Sequence, residues 1–265
     1  MRTVEAIYNQ PWAILPDRLE TMIAVAKREN DIEALSTKLG RPLDNTRTVE
    51  TVGDTAIVPV TGSIFRYANL FTEVSGATST EVLAKDIGRA FDNPSVRNVV
   101  LEINSGGGQA DGIADLAASI RDGSRRTGKS VVAFVDGTAA SAAYWIASAA
   151  DHIVASKTAM VGSIGAVLTV RRGTDDGRIE FVSSVSPKKR PNVETPEGRG
   201  QLQKWADDIG RVFLEDVARY RGVDFETART EFGGGDMFIA HEALRRGMID
   251  EIGTLDGLLT NLKGE

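Results

Sequence analysis

Three groups of residues in this chain are suited to chemistry: a serine among side chains too small to hide it, a run of glycines, and two adjacent lysines. Ser141 sits in Gly137-Thr138-Ala139-Ala140-Ser141-Ala142-Ala143-Tyr144-Trp145. The β-branched run at residues 131–135 reads as a buried strand, Asp136-Gly137 as its break, and the alanine-rich stretch that follows as a helix. Ser141 then falls near the N-terminus of a helix entered from a strand. There, unpaired backbone N–H groups and the positive end of the helix dipole can support a developing oxyanion. A hydroxyl in this position is either a nucleophile or a filler and cap in a tightly packed small-residue helix.

The glycines offer a partner for such a nucleophile. Residues 98–103 read as a strand that runs into Asn104-Ser105-Gly106-Gly107-Gly108-Gln109-Ala110-Asp111-Gly112, after which residues 113–120 have helical spacing. Consecutive glycines at a strand-to-helix turn reach backbone conformations closed to other residues and let a ligand approach the main chain. Their N–H groups can then point at an anion; a tight turn without a ligand has the same composition. No Gly-Lys-Ser/Thr follows at P-loop spacing, and the third glycine of a dinucleotide fingerprint is missing.

A nucleophilic serine needs a base, and histidine is a poor candidate. The chain holds only His152, which precedes an apolar strand, and His241, which reads as a helix-start residue. Cysteine is absent, which excludes thiol catalysis and argues against a His/Cys metal centre. Lysine remains. A lysine base must be largely neutral near pH 7, so its pKa must fall by roughly 3, or about 4 kcal/mol, through burial and nearby positive groups. The segment Ser183-Ser184-Val185-Ser186-Pro187-Lys188-Lys189-Arg190-Pro191 offers Lys188 and Lys189 beside an arginine, although composition alone reads it as a solvated basic loop.

Taken together, these segments resemble a known family. Ala139-Ala140-Ser141-Ala142-Ala143-Tyr144-Trp145-Ile146-Ala147-Ser148-Ala149-Ala150-Asp151, followed by Met160-Val161-Gly162-Ser163-Ile164-Gly165-Ala166-Val167, is similar to the signature of the signal peptide peptidase A family of serine-lysine peptidases. Asn104-Ser105-Gly106-Gly107-Gly108 resembles that family's oxyanion turn, with Gly106 standing where the family usually has proline. Residues 238–253 resemble its closing helix and strand, and Tyr8-Asn9-Gln10-Pro11-Trp12-Ala13-Ile14-Leu15-Pro16 resembles the opening of its bacteriophage and prophage members, the head-maturation or minor capsid proteases.

The resemblance implies an α/β fold, a ClpP/crotonase-type spiral of strand-turn-helix units with an N-terminal helical appendage. It implies Ser141 as nucleophile and a lysine of the 186–190 loop as base. Lys188 and Lys189 both fit; the single lysine of phage-type relatives aligns with Lys189, which is taken as the base. Lys188 or Arg190 would lower its pKa by repulsion. The oxyanion would be held at the Gly106-Gly107-Gly108 turn by the N–H of Gly107 or Gly108, together with that of Ala142. No cofactor and no metal are implied. The expected substrates are polypeptides, namely phage capsid or scaffold proteins, and the expected assembly is a homo-oligomer. Two other readings stand beside this one. A catalytically silent capsid-assembly component could keep the same fold. An acyl-CoA enzyme on the crotonase scaffold could use Glu102 or Asp111 as base, but it leaves Ser141 unexplained.

Other elements must position these groups. Residues 1–54 read as a helical arm and linker: residues 17–39 form an amphipathic helix capped by Asp17, and residues 41–54 are a polar connection. Residues 55–265 read as the peptidase domain. A helix is expected from Thr80 to Phe91, and another from Thr195-Pro196-Glu197 to Arg221 with a stripe of Leu202, Trp205, Ile209, Phe213 and Val217. Arg171-Arg172-Gly173-Thr174-Asp175-Asp176-Gly177 reads as an exposed turn. A chain of 265 residues can bury one substantial core, and a net charge of -6 argues against nucleic-acid binding. With no apolar run of membrane-spanning length and no signal-peptide h-region, the expected location is the cytoplasm or a phage prohead rather than a membrane.

Overall fold

β-branched runs alternate with amphipathic stretches through the middle of the chain, and each run becomes a strand and each stretch a covering helix. The computed structural model describes residues 10–20, 47–68, 72, 76–170 and 182–263. Of the helix expected over residues 17–39, residues 16–20 are helical and the remainder lies outside the described residues, as does the turn expected at 171–177.

The elements follow in chain order. β1 (Pro11–Ile14), β2 (Glu50–Val52), β3 (Thr55–Thr61), β4 (Ile64–Phe65) and β5 (Thr78–Ser79) precede α1 (Thr80–Asp92). Next come β6 (Asn98–Ser105), β7 (Gly107–Gln109), α2 (Ile113–Thr127), β8 (Ser130–Ala140), α3 (Ala142–Ser148), β9 (His152–Ala155), β10 (Met160–Gly162) and β11 (Val167–Leu168). A 3-10 turn at Pro187–Lys189 leads to α4 (Pro196–Arg221), α5 (Phe225–Glu231), β12 (Met237–Ile239), α6 (Ala240–Arg245), β13 (Glu251–Ile252) and α7 (Leu255–Leu262).

The larger sheet runs β12-β10-β8-β6-β3-β2, and its centre is parallel: β3 pairs with β6 and β6 with β8, joined by helical crossovers. Val99, Val100, Leu101 and Ile103 are all buried, as a parallel strand covered on both faces requires. One face packs into the main core with α1, α2 and α3, and the other meets α7 through Val100, Val132, Val154 and Leu262. The smaller sheet has the order β11-β1-β7-β4-β5. The architecture is the α/β spiral of strand-turn-helix units expected from sequence. The stretch read as arm and linker nevertheless adds strands to both sheets, β1 to the smaller and β2 to the larger.

β8 differs from expectation in a way that matters for the site. Asp136-Gly137 does not end it; the strand continues to Ala140. Its first half pairs with β9 through residues 132–135, and residues 138–140 pair with β10. Ala139 also pairs with Ser105 of β6 across a register shift. Ladder partners on both sides outweigh the local turn preference of Asp-Gly. Helix starts were more legible. Thr195 Oγ1 accepts from Gly198 N at 3.1 Å with proline just inside α4, and Ser79, one residue before the expected Thr80, caps α1. The apolar stripe of α4 divides: Phe213 and Val217 are buried in the core, while Trp205 stands 44% exposed. No helix among the described residues is long and apolar enough to cross a membrane.

Candidate active site

Ser141 is the single residue between β8 and α3, so it must turn the chain from strand to helix in one step. Its backbone has φ 56° and ψ -122°, a region that L residues other than glycine seldom adopt and that costs on the order of 1–3 kcal/mol. Its neighbours hold it there. Ser141 N donates to Gly162 O at 2.8 Å, and its own carbonyl accepts from Trp145 N at 3.0 Å. This strained strand-to-helix corner is the geometry that presents a nucleophile at a sheet edge.

α3 is fixed from behind. Every residue from Ala142 to Ser148 is buried. Trp145 stacks on Phe213 with ring centroids 4.4 Å apart and planes 6° from parallel, and its Nε1 donates to Asp216 Oδ2 at 2.9 Å. The Tyr144 hydroxyl donates to the Met248 carbonyl at 2.8 Å, and burial pushes that phenol well above its ordinary pKa, so it stays a neutral donor. α3 is short. What it offers the site is the amide of Ala142 at its first position rather than a large dipole.

The glycine turn faces this corner. Gly107 has φ +94°, and a Cβ built on it would stand 2.2 Å from Ala13 O, 2.9 Å from Ala140 O and 3.0 Å from the Ser141 Cβ. Gly108 is as tightly constrained, since its Cβ would fall 1.9 Å from Ile64 O. Only glycine lets these backbones approach so closely. Gly106 is looser: its nearest neighbour would be the Arg18 side chain at 2.9 Å. Ser105 braces the turn, with its Oγ donating to Gly62 O at 2.5 Å and accepting from Gly107 N at 3.1 Å. The Gly107 amide, expected with Gly108 as an alternative oxyanion donor beside Ala142, is therefore bonded within the turn.

A third wall comes from residues 162–165, where Ser163 also has a positive φ of 54° and the Gly165 carbonyl accepts from Ser141 Oγ at 3.5 Å. Ser141 itself is 1% exposed. The structure thus brings Ser141, Ala142, Gly107 and Gly108 to one corner. Lys188 and Lys189 lie on the exposed 3-10 turn, with the Lys188 carbonyl accepting from Gln201 Nε2 at 2.7 Å and Lys189 N donating to Ser186 O at 3.0 Å. Among the described residues no hydrogen bond joins either ammonium to Ser141. Sequence reasoning missed Ser105, Gly165 and Ala13. Ser105 had a readable signal as a hydroxyl opening a glycine turn; the other two act through carbonyls and leave no side-chain pattern.

The profile of peptidase family S49 matches residues 124–174 and 180–265, more than half of the chain. The chain belongs to peptidase family S49. Three curated relatives are similar to it over most of its length. The head-tail preconnector protein of Enterobacteria phage P21 is 30% identical over 218 residues, covering 78% of this chain and 42% of the phage protein. Protease 4 of Haemophilus influenzae is 27% identical over 209 residues, covering 76% of this chain and 33% of that protein. The capsid assembly protease C of Escherichia phage lambda is 25% identical over 220 residues, covering 78% and 48%. The chain spans less than half the length of each of these three relatives.

Proposed function

We propose that this chain is a serine endopeptidase in which Ser141 is the nucleophile and Lys189 the base. The observation that carries the reading is the strained backbone of Ser141, held at a strand-to-helix corner with Gly107 packed against its Cβ. Strain of this kind persists where surrounding structure over-determines it, and it concentrates at functional sites. In the proposed reaction Ser141 Oγ attacks the peptide carbonyl carbon while its proton passes to the neutral lysine amine. The tetrahedral oxyanion is held by amides of the glycine turn and of Ala142, and the lysine then protonates the departing nitrogen. Water releases the acyl group by the same steps in reverse order.

The names of the two phage relatives, a head-tail preconnector and a capsid assembly protease, support capsid or scaffold polypeptides as substrates. On this reading the protein works as a homo-oligomer in the host cytoplasm or prohead. Residues 55–265 form the bulk of the peptidase domain, and the N-terminal segment read as an arm contributes β1 and β2 to its sheets. A second reading has one observation in its favour: both lysines are exposed and unbonded to Ser141 among the described residues, as a silent assembly component would allow. Incubation with a fluorophosphonate probe and mapping of the labelled residue separates the two. Labelling of Ser141, lost in Lys189→Ala, supports the peptidase; a chain that never labels supports the silent component.

A further inference from the structure

β1 is not part of the strand-turn-helix units around it. It comes from the N-terminal segment and runs antiparallel to β7 on one side, with Trp12 opposite Gln109, Ala13 opposite Gly108 and Ile14 opposite Gly107. On its other side it runs antiparallel to β11, with Pro11 opposite Leu168 and Trp12 opposite Val167. Take β1 away, and β7 and β11 present two unpaired edges about 10 Å apart, two strand spacings, with room for one extended peptide. Such a gap binds a polypeptide by main-chain pairing whatever its side chains.

The register sets a particular peptide bond against the nucleophile. Leu15 N donates to Gly106 O at 2.9 Å, and Ala110 N donates to Pro11 O at 3.4 Å. Bonded and unbonded pairs alternate in an antiparallel ladder, so the pair between these two, Ala13 and Gly108, is hydrogen-bonded, with Gly108 N–H donating to the Ala13 carbonyl. That carbonyl oxygen and the Ser141 Cβ both lie within 3.0 Å of the point where a Gly107 Cβ would be. The Ala13 carbonyl therefore rests on the glycine turn beside Ser141, using the amide that an oxyanion would need. Trp12, fully buried and edge-on to Phe65 at 6.2 Å, anchors the strand. Ser141, beneath it, is 1% exposed.

We infer that residues 10–15 are a built-in occupant of a peptide-binding cleft between β7 and β11, and that this segment must leave before a substrate polypeptide can pair with the same two edges. The inference deepens the peptidase reading by naming what regulates access to Ser141, and only its consequence for catalysis rests on that reading.

The absence of cysteine from the chain permits a reversible lock. Pro11 and Leu168 are directly paired on adjacent antiparallel strands, so their Cα atoms fall within disulfide range. Pro11→Cys with Leu168→Cys, oxidised, holds β1 in the cleft; reduction frees it, and the single Leu168→Cys variant controls for redox effects. In a Ser141→Ala background, a fluorescent peptide with the sequence of residues 8–16 should bind the reduced form and bind the oxidised form about tenfold or more weakly. Equal binding to both forms, or none to the reduced form, overturns the proposal. With Ser141 intact, a fluorophosphonate probe should label the reduced form about tenfold or more faster than the oxidised form; labelling of both forms at the same rate overturns it. Peptide binding confined to the reduced form, with no labelling of either, would support the built-in occupant and sink the assignment of Ser141 as nucleophile.

Discussion

A Cβ on Gly107 would lie 3.0 Å from the Cβ of Ser141, so the glycine turn and the Ser141 corner meet directly, with no other side chain between them. The position of the serine is consequently set by strands rather than by side-chain packing. β8 delivers it, Gly162 of β10 takes its amide, and the turn after β6 closes over it. A main-chain frame of this kind offers little room for relaxation.

Gly107→Ala should therefore be costly. The new methyl would meet backbone oxygens of Ala13 and Ala140 at 2.2 Å and 2.9 Å, and φ +94° is unfavourable for alanine. A loss of roughly 2–4 kcal/mol is expected in urea unfolding, together with loss of peptide cleavage. Gly106→Ala meets the flexible Arg18 side chain at 2.9 Å and Leu15 Cδ1 at an ordinary 3.5 Å, and should cost about 1 kcal/mol or less. Equal losses for the two would show that the turn is less tightly held than its contacts indicate.

The strain at Ser141 predicts a gain of stability on loss of function. Ser141→Gly relieves φ 56°, and the hydroxyl it removes has only a 3.5 Å bond to Gly165 O, so unfolding should become harder by about 1 kcal/mol while cleavage disappears. Ser141→Ala should abolish cleavage without that gain. A Ser141→Gly variant no more stable than Ser141→Ala would mean that the corner is not strained in solution.

These contrasts mark where the sequence is readable. α4 was legible at both ends because Thr195-Pro196 is a cap with a local mechanism and Gly222 adopts the left-handed conformation after the last turn. β6 and α2 were legible from periodicity alone. The continuation of β8 through Asp136-Gly137 was not, because its cause lies in ladder partners on β6 and β10 that no local window contains. β1 was hidden for the same reason: Pro-Trp-Ala-Ile becomes a strand only between two edges distant in sequence. At the site, Ser141 and Gly107 were visible as residue types, whereas the bonds of Gly107 N to Ser105 and of Ser141 Oγ to Gly165 were not.

The two lysines can be separated by kinetics. Lys189→Ala should lower kcat/KM by about 10²–10⁴, the usual scale of general-base catalysis, and Lys188→Ala by a few-fold through lost charge, about 1 kcal/mol. Both side chains are exposed, so neither change should shift stability by more than about 0.5 kcal/mol. A larger effect from Lys188→Ala would exchange their roles.

Acid stability should depend on a pair behind the site. The Arg221 guanidinium, 8% exposed, meets Asp250 Oδ1 at 2.6 Å and also donates to the Gly247 carbonyl, while Asp250 Oδ2 accepts from Ile153 N at 2.8 Å. Burial pushes the Asp250 carboxyl up, but the hydrogen bond and charge of Arg221 outweigh it and the pKa lies below the ordinary aspartate value. A carboxylate lowered on folding contributes stability that is fully present above its unfolded pKa of about 4 and is lost as pH falls through the lower folded value. Asp250→Asn should thus cost about 2 kcal/mol at pH 7, less than a fully buried pair because Asp250 is partly exposed. The gap to the parent chain should shrink once the pH is taken below about 4, where the parent loses the same interaction. Urea unfolding at pH 7 and pH 3 measures both values, and a gap that stays constant would show that Asp250 acts by packing rather than by charge. Met248, whose carbonyl accepts from Tyr144, lies between Gly247 and Asp250, so loosening this pair should also weaken the support of α3 and with it the corner that holds Ser141.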